Sequence, residues 1–441
     1  MKMDYEAIDT TIPTLGDTKV DSPIAEKASG DLDGYFVGDD YRVLIDIRQD
    51  QVAQIFQAGQ QPVSFELAGP RRKIYFDPSK LRAAIVTCGG LCPGLNDIIR
   101  SIVLELYYSY GVRRIYGIRH GLQGFIPSYG HDVMELKPSR VVDILNMGGS
   151  VLGSSRGPQD IEEVVDCLDR MNIGLLFMVG GDGTLMAACR IADAITQRGL
   201  KISVVGIPKT IDNDIHMVSR SFGFDTAVEV ATQAIRGAHS EAVGYPNGIG
   251  LIKLMGRHSG FIAATTALAQ QDVNFVLIPE VDFDLDGPQG LMATLERRLA
   301  ERRHAVIVVA EGAGQKFFSD TCTDCDPSGN LRLNDIGLFL KERIITYFKE
   351  KGIEINLKYI DPSYIIRSLP ANANDRVFCG FLGRDAVHAG MAGKTRVLIG
   401  HWNNHFVLLP MEASAGKRKH VSPTGKLWRT VLEATGQGAL K

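Results

Sequence analysis

The chain has no run of eighteen apolar residues, so no transmembrane helix is expected. Its first residues, Met1-Lys2-Met3-Asp4-Tyr5-Glu6, lack the apolar stretch of a secretory signal, and a cytoplasmic protein is expected. Long basic tracts are missing as well. With 48 basic and 51 acidic residues the formal net charge is −3, which gives neither nucleic acid nor a membrane surface an electrostatic footprint. The single basic cluster, Lys417-Arg418-Lys419-His420, is short and reads as a solvated loop, with a phosphate or effector contact as the alternative. Cysteine is scarce: seven residues, an odd number, fit reduced thiols rather than a disulfide framework. Cys322-x-x-Cys325 has no second Cys or His pair at finger-like spacing, so a polar loop is expected there and no zinc site. Cys88 and Cys92 flank a glycine loop, which leaves them accessible or, as is usual for cysteine, buried. There is no repeat of 20–50 residues and no low-complexity segment.

Glycine, by contrast, is abundant: 47 of 441 residues, about 11% against an average near 7%. Much of it gathers where apolar runs end. In Ala84-Ile85-Val86-Thr87-Cys88-Gly89-Gly90-Leu91-Cys92-Pro93-Gly94-Leu95-Asn96-Asp97 a strand-like run meets a glycine loop and then a helix-like segment. The sequence Leu175-Leu176-Phe177-Met178-Val179-Gly180-Gly181-Asp182-Gly183-Thr184 repeats the arrangement with three glycines around one aspartate. Glycines without Cβ admit phosphate oxygens close to backbone N–H groups, and the helix that follows adds its positive end. A purely structural strand-to-helix turn is the alternative. Neither loop is a Gly-x-Gly-x-x-Gly dinucleotide pattern or a lysine-ending P-loop, so neither NAD binding nor a Walker-type ATPase is indicated. A third strand end, Ile207-Pro208-Lys209-Thr210-Ile211-Asp212-Asn213-Asp214, sets two carboxylates two residues apart beside a lysine. Phosphoryl transfer needs that mixture: a carboxylate to take the proton of an attacking hydroxyl, another to help hold Mg²⁺, and a cation for phosphate oxygen. A polar turn whose Asp residues cap the next helix is again the alternative.

From residue 82 onward strand-like runs alternate with helix-like ones. Helices are predicted over 97–107, 160–171, 184–198, 224–239, 260–270, 288–302, 335–350 and 381–391. Strands are predicted over 82–87, 175–180, 202–206, 249–254, 274–278, 305–310, 396–400 and 405–409. The alternation implies an α/β fold, and the length implies two Rossmann-like doubly wound lobes with mainly parallel sheets. Residues 1–80 read as an amino-terminal extension with possible strands at 43–47 and 62–65. A boundary near 220 would separate a lobe over 81–220 from one over 221–441.

Cys88-Gly89-Gly90 with Pro93-Gly94-Leu95-Asn96, Gly180 to Thr184, Pro208 to Asp214, Met255-Gly256-Arg257 and Ala310-Glu311-Gly312 occur in the order expected of 6-phosphofructokinases. The chain resembles that family over about residues 80 to 435. Tyr359-Ile360-Asp361-Pro362-Ser363-Tyr364-Ile365-Ile366-Arg367 is similar to the longer branch, with its trypanosomal and plant-like bacterial members. The resemblance implies ATP-dependent phosphorylation of fructose 6-phosphate at C1 in glycolysis, with MgATP as donor, and an allosteric homo-oligomer, a tetramer. It places ATP mainly on 81–220 and the sugar phosphate mainly on 221–441, with segments exchanged between the lobes. Gly90, Arg156, Gly157, Gly181, Asp182, Gly183 and Thr184 then bind ATP, with Asp182 and Asp214 on the metal. Asp212 is the general base. Thr210, Ile211, Asp212, Met255, Gly256, Arg257, Glu311, Lys358, Tyr364, Ile365, Ile366 and Arg367 form the substrate site, where the guanidinium groups match phosphate oxygens. Taken singly, Glu311 also reads as a turn cap and Tyr364 as core.

Two positions depart from the short bacterial members. Those bring an arginine from a neighbouring subunit just before Met-Gly-Arg, whereas here Glu241-Ala242-Val243-Gly244-Tyr245-Pro246-Asn247-Gly248 has none. Lys209 stands where ATP-using short members have glycine and pyrophosphate-using members have lysine, while Gly183 stands where the latter have a second aspartate. Donor choice therefore rests on Gly183 and Lys209. The rival readings are a pyrophosphate-dependent enzyme and a non-catalytic sugar-phosphate-binding regulatory subunit. Retention of Asp182, Asp212 and Asp214 argues against the second.

Overall fold

The computed structural model describes residues 8–27, 35–318 and 332–441. Cys322 and Cys325 lie outside the described residues. Among the described residues, no helix is long and apolar enough to cross a membrane.

The chain forms two compact units. The first takes residues up to Ile211, then Ile215–Gly223 and Leu369–Arg418; the second takes Asp212–Asp214, Phe224–Ser368 and Lys419–Lys441. The first unit is built on a nine-stranded sheet. Its five middle strands run parallel in the order Val397–Trp402, Ser203–Pro208, Leu175–Gly180, Arg82–Thr87 and Arg114–Ile118. Antiparallel strands flank them, His405–Pro410, Ser64–Leu67 and Arg42–Leu44 on one side and Met134–Glu135 on the other. A parallel sheet must be covered on both faces, and the residues show how. Ala83, Ile85, Leu175 and Phe177 feed one buried cluster, while their neighbours Ala84, Val86, Leu176 and Met178 feed another. Side chains alternate across a strand, so each apolar run supplies both layers. The second unit has four parallel strands in the order Phe275–Leu277, His304–Ala310, Gly248–Leu254 and Asn356–Ile360. Its core joins Ile249, Leu251, Ile307 and Val309 to Leu295 and Leu340 of the Leu291–Arg302 and Ile336–Glu350 helices.

The expected α/β class with mainly parallel sheets is present, and most predicted elements match within a few residues. Residues 1–80 do more than precede the fold, since two of their strands pair into the large sheet. The helix predicted over 381–391 begins at Ala373, because the Asn372 side chain accepts the Asp375 N–H (2.9 Å) and caps it there. The helix predicted over 97–107 is Leu95–Leu104 and then widens into a π turn, Glu105–Tyr110, where the Tyr110 hydroxyl lies 2.8 Å from His388 Nδ1. The strands Arg114–Ile118 and Asn356–Ile360 and the helix Lys426–Thr435 were not anticipated.

Candidate active site

In the first unit three adjacent parallel strands end side by side, two of them in the glycine loops and the third in Lys209. Lys209 follows Ser203–Pro208 and is buried. Its main-chain N–H donates to Gly180 O (2.9 Å) and its ammonium to Gly90 O (2.6 Å), so one residue stitches both glycine loops to its own strand end. Gly89 N–H donates to Ser155 O (3.1 Å) and the Ser154 hydroxyl to Gly89 O (2.6 Å), bringing the Arg156-Gly157 turn to the same place. A Cβ placed on Gly90 would lie 3.6 Å from Arg156 Nη2. The sequence-predicted set Gly90, Arg156, Gly157 and Gly181 to Thr184 is thus drawn toward one strand edge. Here the Asp182–Gln197 helix begins, an N-terminus suited to anionic oxygen. The Thr184 N–H returns to Gly181 O (2.9 Å), and Asp182 accepts the Gly416 N–H, a partner that sequence reasoning missed. Gly180 admits no side chain, since a Cβ there would sit 2.2 Å from Thr184 Oγ1, whereas a Cβ on Gly183 would meet nothing within 4 Å. The Ser221 hydroxyl donates to Thr210 O (2.6 Å), and Ile211 packs on the core. Cys88 and Cys92 are buried, and burial pushes the Cys88 thiol up to about 12.

In the second unit Met255-Gly256-Arg257 leaves the end of Gly248–Leu254, and Glu311 leaves the end of its neighbour His304–Ala310. The two turns are laced together: Glu311 N–H donates to Leu254 O (2.9 Å) and Gly312 N–H to Gly256 O (3.1 Å). Gly256 has φ of 127°, where a side chain is strained, and a Cβ on Gly312 would lie 2.0 Å from Arg257 O. Burial raises the Glu311 carboxyl, against the opposing pull of Arg257, Lys253 and Arg367. Arg257 Nε and Nη2 are buried with no hydrogen-bond partner among the described residues. Buried guanidinium nitrogens in that condition are costly unless an anion arrives.

The remaining predicted residues lie on the adjoining edge strand and the short Ser363–Arg367 helix. Lys358 is exposed, with its ammonium over the Tyr245 ring at 5.5 Å. Arg367 stacks on Tyr364 at 4.5 Å, and Tyr364 and Ile365 are 73% and 62% exposed, so Tyr364 is not core. Ile366 is fully buried. A further cation supports this edge. Lys253 donates to Asp335 (2.7 Å), the N-cap of Ile336–Glu350, and lies 3.0 Å from Asp361, whose carboxylate accepts the Ser363 N–H.

The Asp212–Asp214 turn also belongs to the second unit, and Asn213 at its centre is buried with φ of 55°. The basic cluster read as a solvated loop is not uniformly so. Lys419 is half-buried, its main-chain N–H donates to Asp214 O (2.8 Å), and its ammonium donates to Asn213 Oδ1 (3.2 Å) and faces the Phe261 ring at 5.3 Å. Burial pushes that ammonium down to about 8 despite the attraction of Asp214. The next residues are tied as well: exposed His420 donates from Nδ1 to His258 O (2.8 Å), and buried Val421 donates its N–H to Glu280 (2.7 Å), whose carboxylate also takes the Gly260 N–H. No more than the basic character of 417–420 hinted at this.

Among the described residues, no three His, Cys, Asp or Glu side chains gather to hold a metal. Asp182 on the first unit and Asp214 on the second each offer a carboxylate, the hard oxygen donor that Mg²⁺ takes beside substrate phosphates and water, so each taken singly fits that ion.

Strand-end glycine and carboxylate loops on largely parallel sheets suit a phosphotransferase, which binds phosphate at strand ends and needs carboxylates beside it. The family model described as phosphofructokinase matches residues 82–390, and the chain belongs to that family. It is 51% identical over 439 residues to an ATP-dependent 6-phosphofructokinase of Borreliella burgdorferi, covering 98% of this chain and 97% of the relative. It is 45% identical over 377 residues to the ATP-dependent 6-phosphofructokinase of Trypanosoma cruzi, covering 85% and 77%. In fold it is similar to a pyrophosphate-dependent phosphofructokinase from Marinobacter aquaeolei, with a TM-score of 0.66 and 18% identity over 81% of this chain and 92% of that one.

Proposed function

We propose that the chain transfers the γ-phosphoryl group of ATP to the C1 hydroxyl of fructose 6-phosphate, giving fructose 1,6-bisphosphate and ADP in glycolysis. The observation that carries this is the near full-length, 51% identity to the Borreliella enzyme of that name. In this reading Gly90, Arg156, Gly157 and Gly181 to Thr184 cradle the nucleotide phosphates. Mg²⁺ held with Asp182 and Asp214 neutralises charge on the phosphates when bound. Thr210 and Asp212 meet the sugar, and Asp212 takes the C1 hydroxyl proton. Arg257, Glu311, Lys358, Tyr364 and Arg367 bind the sugar phosphate, and the unpartnered guanidinium nitrogens of Arg257 supply the donors an anion needs. The rival reading is pyrophosphate as donor, and Lys209 is compatible with either, since it can contact phosphate whichever donor is bound. Steady-state assays with ATP against pyrophosphate, and fructose 6-phosphate against other sugar phosphates, decide between them.

Arg257→Ala is expected to raise the KM for fructose 6-phosphate by at least about tenfold while leaving the KM for ATP near the parent value, as loss of a charge-assisted contact to one substrate requires. An equal rise for both substrates removes Arg257 from the sugar site. The reading also includes a cytoplasmic homo-oligomer, a tetramer. Sedimentation of the purified chain is expected to give an assembly larger than a monomer, and a fully active monomer defeats this part.

A further inference from the structure

We infer that Lys419 is a positioning residue that acts through Asn213 to hold the Asp212–Asp214 turn in its working shape, an inference that rests on the reading of Asp212 as general base. A left-handed backbone is uncommon for any residue with a side chain, and asparagine tolerates it better than most. Such conformations persist at functional sites when the surroundings over-determine them. Asn213 is buried with φ of 55° between the two aspartates, so its direction change sets how the carboxylates on either side are presented. Lys419 grips that turn twice, through main-chain N–H to Asp214 O and ammonium to Asn213 Oδ1. The Phe261 ring beneath the ammonium confines it further. His420 and Val421, tied to His258 O and Glu280, anchor the strap that carries Lys419. The main-chain bond survives any side-chain replacement. Substitution of Lys419 therefore keeps the main-chain grip and removes the side chain's contacts, the tie to Asn213 among them.

Lys419→Met, Asn213→Gly and the double variant form the test, read as kcat, equilibrium affinity for fructose 6-phosphate, and thermal midpoint. Lys419→Met in the parent background is expected to lower kcat about tenfold, since small misplacements of a reacting group cost one to two decades. Sugar phosphate affinity and midpoint should stay near the parent values. Glycine takes a left-handed φ without help, so in the Asn213→Gly background the same substitution should cost less than about threefold in kcat. Equal losses in the two backgrounds overturn the inference, because non-additivity is what a shared contact produces. Lys419→Arg keeps a cationic donor and should hold kcat within about threefold of the parent; a tenfold loss there overturns it too, and this variant carries the test if Lys419→Met does not fold. If Asp212→Asn stays active, the general-base reading fails. If Asp212→Asn is silenced and the cycle is additive, the tether alone fails.

Discussion

Asp212→Asn is expected to reduce turnover by about 10²–10⁴ while the KM values for both substrates change far less. Asparagine has nearly the shape of aspartate and keeps one carbonyl-like oxygen, so the half-buried turn has no reason to rearrange. What it lacks is a basic oxygen to receive the proton of the attacking hydroxyl. A residue that acts only in the transition state lowers kcat and kcat/KM together, which separates this role from simple binding of the sugar. Steady-state kinetics of parent and variant settle it: turnover within a few fold of the parent makes Asp212 a turn residue and ends the mechanism.

Gly183→Asp is expected to cut ATP-driven turnover severely and to leave the folded protein at least as stable as before. The space around Gly183 is open, with nothing within 4 Å of an added Cβ, in contrast to Gly180, where Thr184 fills the position. Nothing in the protein's own packing demands glycine at 183, and a glycine in a helix costs about 1 kcal/mol relative to alanine. An aspartate in the first turn of Asp182–Gln197 even favours the helix end. On the proposed reading the demand comes from the ligand. If Gly183 borders the α-phosphate of ATP as proposed, an aspartate side chain there adds bulk and a like charge that repels it. The parent is expected to use ATP with little or no pyrophosphate activity. A parent that prefers pyrophosphate sinks this account of donor choice, and so does a variant that uses ATP normally. A variant with a lowered thermal midpoint would instead assign the loss to folding.

The parts of this molecule that could be read in advance are those where local chemistry has one job. Apolar runs such as Leu175–Gly180 and Ser203–Pro208, buried on both faces, announce parallel strands. The glycines that follow them announce close backbone approach. The parts that escaped are those where distant residues decide. Asn356–Ile360 is an edge strand whose Lys358 faces outward, so its pattern carries little periodicity. The strands Arg42–Leu44 and Ser64–Leu67 were legible as short apolar runs, but their place beside His405–Pro410 in the large sheet was not. At the site the motif residues were legible, but their supports were not. Lys419 sits in a run of four basic residues that reads as solvent-facing, and its contacts with Asn213 and Asp214 span two hundred positions of sequence. The left-handed turn at Asn213 was equally silent, because asparagine is common in ordinary turns.

The path of the chain bears on how the protein is made. Val397 pairs with Val205, and the second unit takes back the stretch from Lys419 after lending residues 369–418 to the first. On the ribosome, the middle of the large sheet lacks a strand until nearly the whole polypeptide has emerged, and its apolar edge at Ser203–Pro208 must wait uncovered. Closing contacts of such long separation is slow, and exposed strand edges aggregate. Neither half can be expected to fold from a contiguous fragment, so cutting the gene near codon 220 should yield two insoluble products rather than two working lobes.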